Sequence, residues 1–294
     1  MKIALTGSSG FIGSYLLKKL NELNHNVLTL DRTNGFDVSN WNVVKDLPKF
    51  DVCIHLAAKS FVPDSYKNVR DFYDLNIIAT LNMLEISKKY NAKMIFTSSY
   101  VYGKPQYLPI DEKHKLSGFN PYAHSKIICE QLCEKYSIFF GLPIIIFRPF
   151  NIYGYGQAKN FLIPEAIEKI LKGSSFELLD SSPKRDMIYI DDLVKAFVVV
   201  VESNMKNEVF NIGSGISYSV DQIVQMILNC NLKKIKVTYK NEARSNEVDN
   251  VIADISKAKN LLGWEPKISL EEGIRKTVSS YLNNNNNNMG IASL

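Results

Sequence analysis

Lys2-Ile3-Ala4-Leu5-Thr6-Gly7-Ser8-Ser9-Gly10-Phe11-Ile12-Gly13 is the stretch that decides the fold. A short apolar run enters a turn with three glycines, and an amphipathic helical pattern over residues 11–23 leaves it. A second apolar run, residues 26–30, ends at Asp31, so the opening segment reads strand, helix, strand. Outward from there, apolar strands are expected at 52–56, 93–97 and 143–148, separated by helical patterns at 71–90 and 122–140. Alternation of this kind predicts an α/β fold, a doubly wound parallel sheet with helices on both faces.

The glycine turn lies between the first strand and the first helix, where backbone amides at a helix N-terminus can face a pyrophosphate and only glycine permits close approach. Taken alone, the pattern also reads as a plain tight turn. Asp31 ends the second strand about 20 residues on, where a carboxylate can accept hydrogen bonds from adenosine ribose hydroxyls and repel a 2′-phosphate. NAD is therefore expected over NADP, although the neighbouring Arg32 is able to pair with a 2′-phosphate.

Composition sets the class. A chain of 294 residues with 46% hydrophobic and 22% charged residues can bury a sizeable core. The net charge of +5 is spread among acids without a basic run, so no nucleic-acid surface is expected. Cys53, Cys129, Cys133 and Cys230 form no Cys-x-x-Cys pair and read as buried thiols of a reducing cytoplasm. The first five residues are too short for a signal peptide core, and the apolar stretch at 196–201 falls well short of the ~20 residues a spanning helix needs. A soluble cytoplasmic protein without a membrane segment is expected.

After Pro149 the regularity changes, with Gly-, Tyr- and Asn-rich loops between helical patterns near 164–172, 191–201 and 220–228. Residues 1–149 are read as a dinucleotide-binding (Rossmann) domain and 150–282 as a smaller C-terminal substrate-binding lobe, with 186–212 returning to the first domain. The asparagine run at 283–288 offers no apolar side chain to a core, so residues 283–294 are expected to be a disordered tail.

Tyr122-Ala123-His124-Ser125-Lys126 places a phenol and an ammonium four residues apart on one helix face, after Asn120-Pro121. A phenol has a pKa near ~10, and a neighbouring ammonium together with a cationic nicotinamide would stabilise its anion for acid/base work. By itself the pentad is common. Phe96-Thr97-Ser98-Ser99-Tyr100-Val101-Tyr102-Gly103 follows the fourth strand at its C-terminal end, where doubly wound sheets bind ligands. His55, His114 and His124 lack ligand spacing, so no metal site is expected. Lys59 reads equally as a surface residue or a pocket residue.

These motifs together resemble the extended short-chain dehydrogenase/reductases of the nucleotide-sugar epimerase and dehydratase type. Further markers are His55-Leu56-Ala57-Ala58, Arg148-Pro149-Phe150-Asn151-Ile152-Tyr153-Gly154, Lys184-Arg185-Asp186, Tyr189-Ile190-Asp191-Asp192-Leu193 and Leu262-Gly263-Trp264-Glu265-Pro266. The resemblance implies that Gly7, Gly10, Phe11, Ile12, Asp31 and Asp37 line the cofactor, with Val38, Leu56, Ala57 and Asn76. Tyr122 and Lys126 would also touch its ribose. Ser98, with Ser99 beside it, would meet the reacting sugar. Asn151, Arg185 and Arg244 would hold the diphosphate, a task suited to guanidinium groups. Leu162 and Leu178 would flank the base. The usual Arg-x-Gly-Asp is here Arg244-Ser245-Asn246-Glu247, and an aromatic often stands where Leu178 does, so the identity of the base stays open.

The same resemblance separates reactions. Dehydratases and uronate decarboxylases carry Thr-Asp-Glu or Thr-Ser-Glu where this chain has Ser98-Ser99-Tyr100, and fucose-synthase-like enzymes carry cysteine at the place of Tyr100. Without either proton carrier, C4 redox chemistry remains. NAD-dependent C4 epimerisation of a nucleotide-diphosphate sugar through a transient 4-keto intermediate is favoured over NAD(P)H-dependent reduction of a 4-keto-6-deoxy sugar. A non-enzymatic dinucleotide sensor is the remaining alternative, against which the intact Ser98, Tyr122 and Lys126 argue. The likeness further implies a homodimer through the helices at 71–90 and 122–140.

Overall fold

A computed structural model describes residues 1–230, 232, 235–240, 242 and 247–291. The chain runs β1 (Lys2–Thr6), α1 (Phe11–Glu22), β2 (Asn26–Leu30), α2 (Trp41–Val44), β3 (Val52–His55), α3 (Val62–Lys67), α4 (Val69–Tyr90) and β4 (Lys93–Thr97). Next come α5 (Pro121–Phe140), β5 (Ile144–Pro149), β6 (Asn151–Tyr153), α6 (Leu162–Lys172), β7 (Phe176–Leu178), β8 (Lys184–Tyr189), α7 (Ile190–Glu202) and β9 (Glu208–Ile212). The remainder is β10 (Ser217–Ser219), α8 (Val220–Leu228), β11 (Val237–Tyr239), α9 (Ser256–Leu262) and α10 (Leu270–Ile291).

The main sheet is six-stranded in the order β2-β1-β3-β4-β5-β9, and every pairing in it is parallel. Its central strands are buried along their length, as a sheet covered on both faces requires: β3 and β5 have no exposed residue. One face is covered by α1 and α7, which pack on each other, and the other by α4 packed on α5. The chain leaves β1 towards β2 on one side and returns to β3 on the other. This reversal makes a crevice at the carboxyl ends of β1 and β3, the place where open α/β sheets bind ligands.

Local chemistry explains the helix that matters most. Asn120 caps α5, its side-chain oxygen accepting from the Ala123 amide at 2.7 Å, Pro121 occupies the first turn, and Gly141 closes the helix in the left-handed conformation.

Two smaller sheets, β10-β8-β6 and β11-β7, sit after β5. The sequence pattern there predicts loops between helices. Most of these strands are only three residues long, too short for an alternation of apolar and polar side chains to register. α10 runs on through the asparagine run to Ile291, and Asn284 in that run donates from its side chain to the Ser280 carbonyl at 2.9 Å.

Candidate active site

A cavity of about 1120 Å³ opens along the carboxyl edge of the main sheet and extends under the smaller sheets. Its floor at the sheet is made by three turns, those after β1, β3 and β4.

The turn after β1 contributes Gly7, Gly10, Phe11 and Ile12, all anticipated, and Gly13. Gly7 has φ +67°, and a Cβ built on it would meet the Ala57 amide nitrogen at 3.0 Å; a Cβ on Gly13 would stand 2.1 Å from the Gly7 carbonyl oxygen. Gly10 caps α1 without a side-chain hydrogen bond. The first amides of α1 are thus left for a ligand, beside backbone that only glycine allows to pack so closely. This cradle fits the pyrophosphate of a dinucleotide.

Asp31 lies beside that cradle but not in the cavity wall. Its carboxylate accepts from the Ser8 hydroxyl and from the Thr33 amide at 3.1 Å and the Thr33 hydroxyl. Burial works against the charge, yet these hydrogen bonds hold the carboxyl below the usual carboxylate range. Asp37 likewise folds back on Ser39, and Val38 is buried in the core, its carbonyl accepting from Asn82 at 3.0 Å.

The turn after β3 places Leu56, Ala58 and Ser60 in the wall. Ala57 is behind it, its amide donating to Thr6 Oγ1 at 3.0 Å. Asn76, expected against the cofactor, is fully buried with its side chain committed to protein. Its Oδ1 accepts from the Lys59 amide at 2.9 Å, and its Nδ2 donates to the Lys59 carbonyl at 3.2 Å and to Ser125 Oγ at 2.9 Å. It joins the turn after β3 to α5. Lys59 itself turns outward to Asp71.

The turn after β4 and the start of α5 bring Ser98, Ser99, Tyr122 and Lys126 to one place in the wall. Lys126 is buried, its Nζ donating to the Thr97 carbonyl at 2.7 Å. Burial lowers its pKa, against the opposing pull of Cys129, Cys133 and Glu130. Burial pushes the Tyr122 phenol up, and a hydrogen bond with the Ser99 side chain acts in the other direction. Ser98 Oγ is buried and has no hydrogen-bond partner among the described residues. An unpaired buried hydroxyl costs free energy, of the order of 1–3 kcal/mol, unless something meets it. A ligand hydroxyl in the cavity is the natural partner.

Tyr100 also lines the cavity, and its hydroxyl is spent on the Gly103 carbonyl. Burial pushes its phenol up to about 12, with Arg185 working the other way. With its hydroxyl committed to that carbonyl, it offers the cavity no free proton carrier.

At the far end stand Asn151, Leu162, Leu178 and Arg185, as expected from the sequence. Arg185 donates to the Val248 carbonyl at 2.7 Å and is paired with Glu247, which shares the wall. Arg244 lies outside the described residues. The sequence reading missed Thr97, Phe119, Phe161 and Glu247. Thr97 and Glu247 sit inside motifs already singled out, whereas nothing in a one-dimensional pattern marks the two phenylalanines. The three histidines singled out in the sequence are engaged: His55 with Thr6 and Thr80, His114 with Asp111, His124 with Tyr73.

Comparison with known proteins agrees with this geometry. The sequence signature of the NAD dependent epimerase/dehydratase family matches residues 3–213. The chain is 35% identical over 311 aligned residues, covering 96% of it and 99% of the relative, to a protein of Methanocaldococcus jannaschii provisionally named a UDP-glucose 4-epimerase. It is 32% identical over 277 aligned residues, 90% of it and 92% of the relative, to the GDP-6-deoxy-D-talose 4-dehydrogenase of Aggregatibacter actinomycetemcomitans. Among solved structures, the UDP-glucose 4-epimerase of Thermotoga maritima with UDP-glucose superposes with a TM-score of 0.91 at 31% identity, covering 97% of this chain and 99% of that one.

Proposed function

The chain belongs to the NAD dependent epimerase/dehydratase family, and from that premise we propose that it inverts C4 of a nucleotide-diphosphate sugar through a transient 4-keto sugar. The observation that carries this reading is the unpartnered, buried Ser98 Oγ in the same cavity wall as Tyr122 and Lys126, with no free proton carrier at Tyr100.

The glycine cradle, Leu56 and the start of α1 would hold NAD, whose nicotinamide would supply a reversible hydride acceptor for C4. Tyr122 acts as phenolate, removing the C4 hydroxyl proton as the ketone forms and returning it when the other face is reduced. In the protein alone burial holds that phenol protonated. Stabilising its anion falls to the Lys126 ammonium in the same wall. Ser98 donates to the sugar oxygen at C4 and fixes it against Tyr122. Arg185 and Asn151 keep the diphosphate in place while the sugar turns about its phosphate linkage; Leu162 and Leu178 flank the base. Asn76 positions the wall without touching the ligand. Residues 1–149 form the cofactor half together with α7 and β9, which lie within 186–212, and the rest of 150–282, including β8, the sugar-nucleotide half.

The 32% identity to a GDP-sugar 4-dehydrogenase favours a second reading, reduction of a 4-keto-6-deoxy sugar with Tyr122 as the acid. One experiment separates the two. The purified protein is denatured and assayed for released NAD, and the native protein is incubated with UDP-glucose without added cofactor. Retained NAD and formation of UDP-galactose support the epimerase. A protein that carries no NAD and oxidises added NAD(P)H with a 4-keto-6-deoxy nucleotide sugar overturns it in favour of the reductase.

A further inference from the structure

The rings of Phe61 and Phe161 meet edge to face, with centroids 6.1 Å apart and planes at 69°. Phe61 caps the start of α3, between Ser60 and Val62, which both line the cavity. Phe161 caps the start of α6 and lines the cavity while keeping 37% of its surface exposed, which places it at the rim. The two are carried differently. The backbone just before Phe61 is clamped at Lys59 by both polar atoms of the Asn76 amide. Phe161 stands at the end of a loop containing Gly156, which has φ +87° and open space around it.

The two rings border the cavity that holds the proton-transfer pair, since Val62, Phe161 and Tyr122 share its wall and α3 packs against α5. Epimerisation makes a particular demand there. While the ketone turns, hydrogen bonds to its ring must be broken, so directional contacts cannot hold it. Apolar ring edges tolerate rotation and still obstruct the way out.

We propose that Phe61 and Phe161 act as a pair that closes the mouth of the cavity beside Tyr122 and retains the 4-keto sugar until it is reduced. The proposal rests on the epimerase reading above. It assigns to the two rings a partition between reduction and escape, and no part in the bond-making steps.

The test uses the NAD-loaded protein with Phe61→Ala, Phe161→Ala and the double variant. With UDP-glucose as probe, 4-keto sugar released to the medium is trapped with tritiated borohydride and counted against UDP-galactose. Stopped-flow displacement gives the dissociation rate of UDP from the same proteins. Each single variant is expected to raise escape per turnover and UDP release by ~10-fold, and the double variant by no more than a single one, because the rings act as one contact. Unchanged escape, or effects that multiply in the double variant, overturns the proposal. Phe161→Leu, which keeps apolar volume without an aromatic edge, is expected to behave as Phe161→Ala and serves if the alanine variant folds poorly. If the wild type inverts no sugar, the epimerase reading has failed on its own account; the UDP dissociation rates still decide closure, equal rates in wild type and variants overturning it.

Discussion

Lys126 donates its ammonium to the Thr97 carbonyl oxygen at 2.7 Å and sits 4.9 Å from the centre of the Phe96 ring, so the cation is tied to the end of β4 inside the protein. Burial lowers its pKa. The folded state thus disfavours the ammonium relative to the unfolded chain, and this penalty is present at neutral pH and relieved as pH rises towards the ordinary lysine value near ~10.4. Lys126→Met is therefore expected to abolish turnover yet to unfold at the same or higher temperature than the wild type at pH 7. The gap should narrow as the pH is raised to ~10. Thermal unfolding of the two cofactor-free proteins across that range checks the sign; a deficit in Lys126→Met that is largest at pH ~7 would contradict it.

Tyr122→Phe removes one oxygen and the Ser99 hydrogen bond. A proton-transfer role predicts a fall in kcat of about 10²–10⁴-fold with UDP binding retained and stability changed by about 1 kcal/mol. Difference absorbance between wild type and variant during alkaline titration of the cofactor-free protein should show the Tyr122 phenol ionising above its ordinary value of 10.0, because burial dominates there. Ionisation below that value would mean that the protein alone activates the phenol.

These two residues were legible in the sequence, and the contrast with Asn76 shows why. A helix converts the four-residue spacing of Tyr122 and Lys126 into a shared face, so local pattern and spatial arrangement coincide. Gly7, Gly10 and Ser98 were equally readable, since each occupies the turn that directly follows a sheet strand. The resemblance places Asn76 against the cofactor, while its amide bonds Lys59 and Ser125, partners that come from other elements and have no spacing in the chain to betray them. Phe61 and Phe161 escaped notice for the same reason: their contact exists only once β3 and the β6–α6 loop are in place. The short strands β6, β7, β10 and β11 have no periodic pattern of their own, because the smaller sheets are held by tertiary pairing.

Arg148 and Glu130 form a buried ion pair that anchors α5 one turn beyond Lys126, with two guanidinium nitrogens on the carboxylate at 2.6–3.1 Å. The remaining guanidinium nitrogen donates to the Tyr102 hydroxyl at 3.0 Å, which in turn donates to Asn211 Oδ1 at 2.5 Å. Glu130→Ala leaves the guanidinium buried and unpaired, so a loss of about 3–5 kcal/mol is expected, lowering Tm by on the order of 10 °C. The double variant Glu130→Leu with Arg148→Met removes both charges and should regain most of that stability. Urea unfolding of the three proteins measures it. A double variant as unstable as the single one would show that Arg148 matters through Tyr102 and not through Glu130.

Gly13→Ala sets local propensity against tertiary geometry. Within a helix, alanine is favoured over glycine by up to about 1 kcal/mol, so an isolated α1 would gain from the change. In the folded chain the new Cβ would lie 2.1 Å from the Gly7 carbonyl oxygen and 2.8 Å from the Ser8 Cα. Both are backbone atoms, which cannot rotate aside as a side chain could. Gly7 cannot retreat freely either, because it packs against the Ala57 amide and its own amide is bound to the Leu30 carbonyl at 2.9 Å. The turn must open, and the amides of α1 then lose their aim. Gly13→Ala is expected to purify without retained NAD and to unfold at lower urea than the wild type, while far-UV circular dichroism stays close to wild type because the sheet is untouched. Equilibrium dialysis against NAD decides the functional half: undiminished affinity in Gly13→Ala would show that the pyrophosphate does not sit on this turn, and the glycines would then be explained by strand-to-helix packing alone.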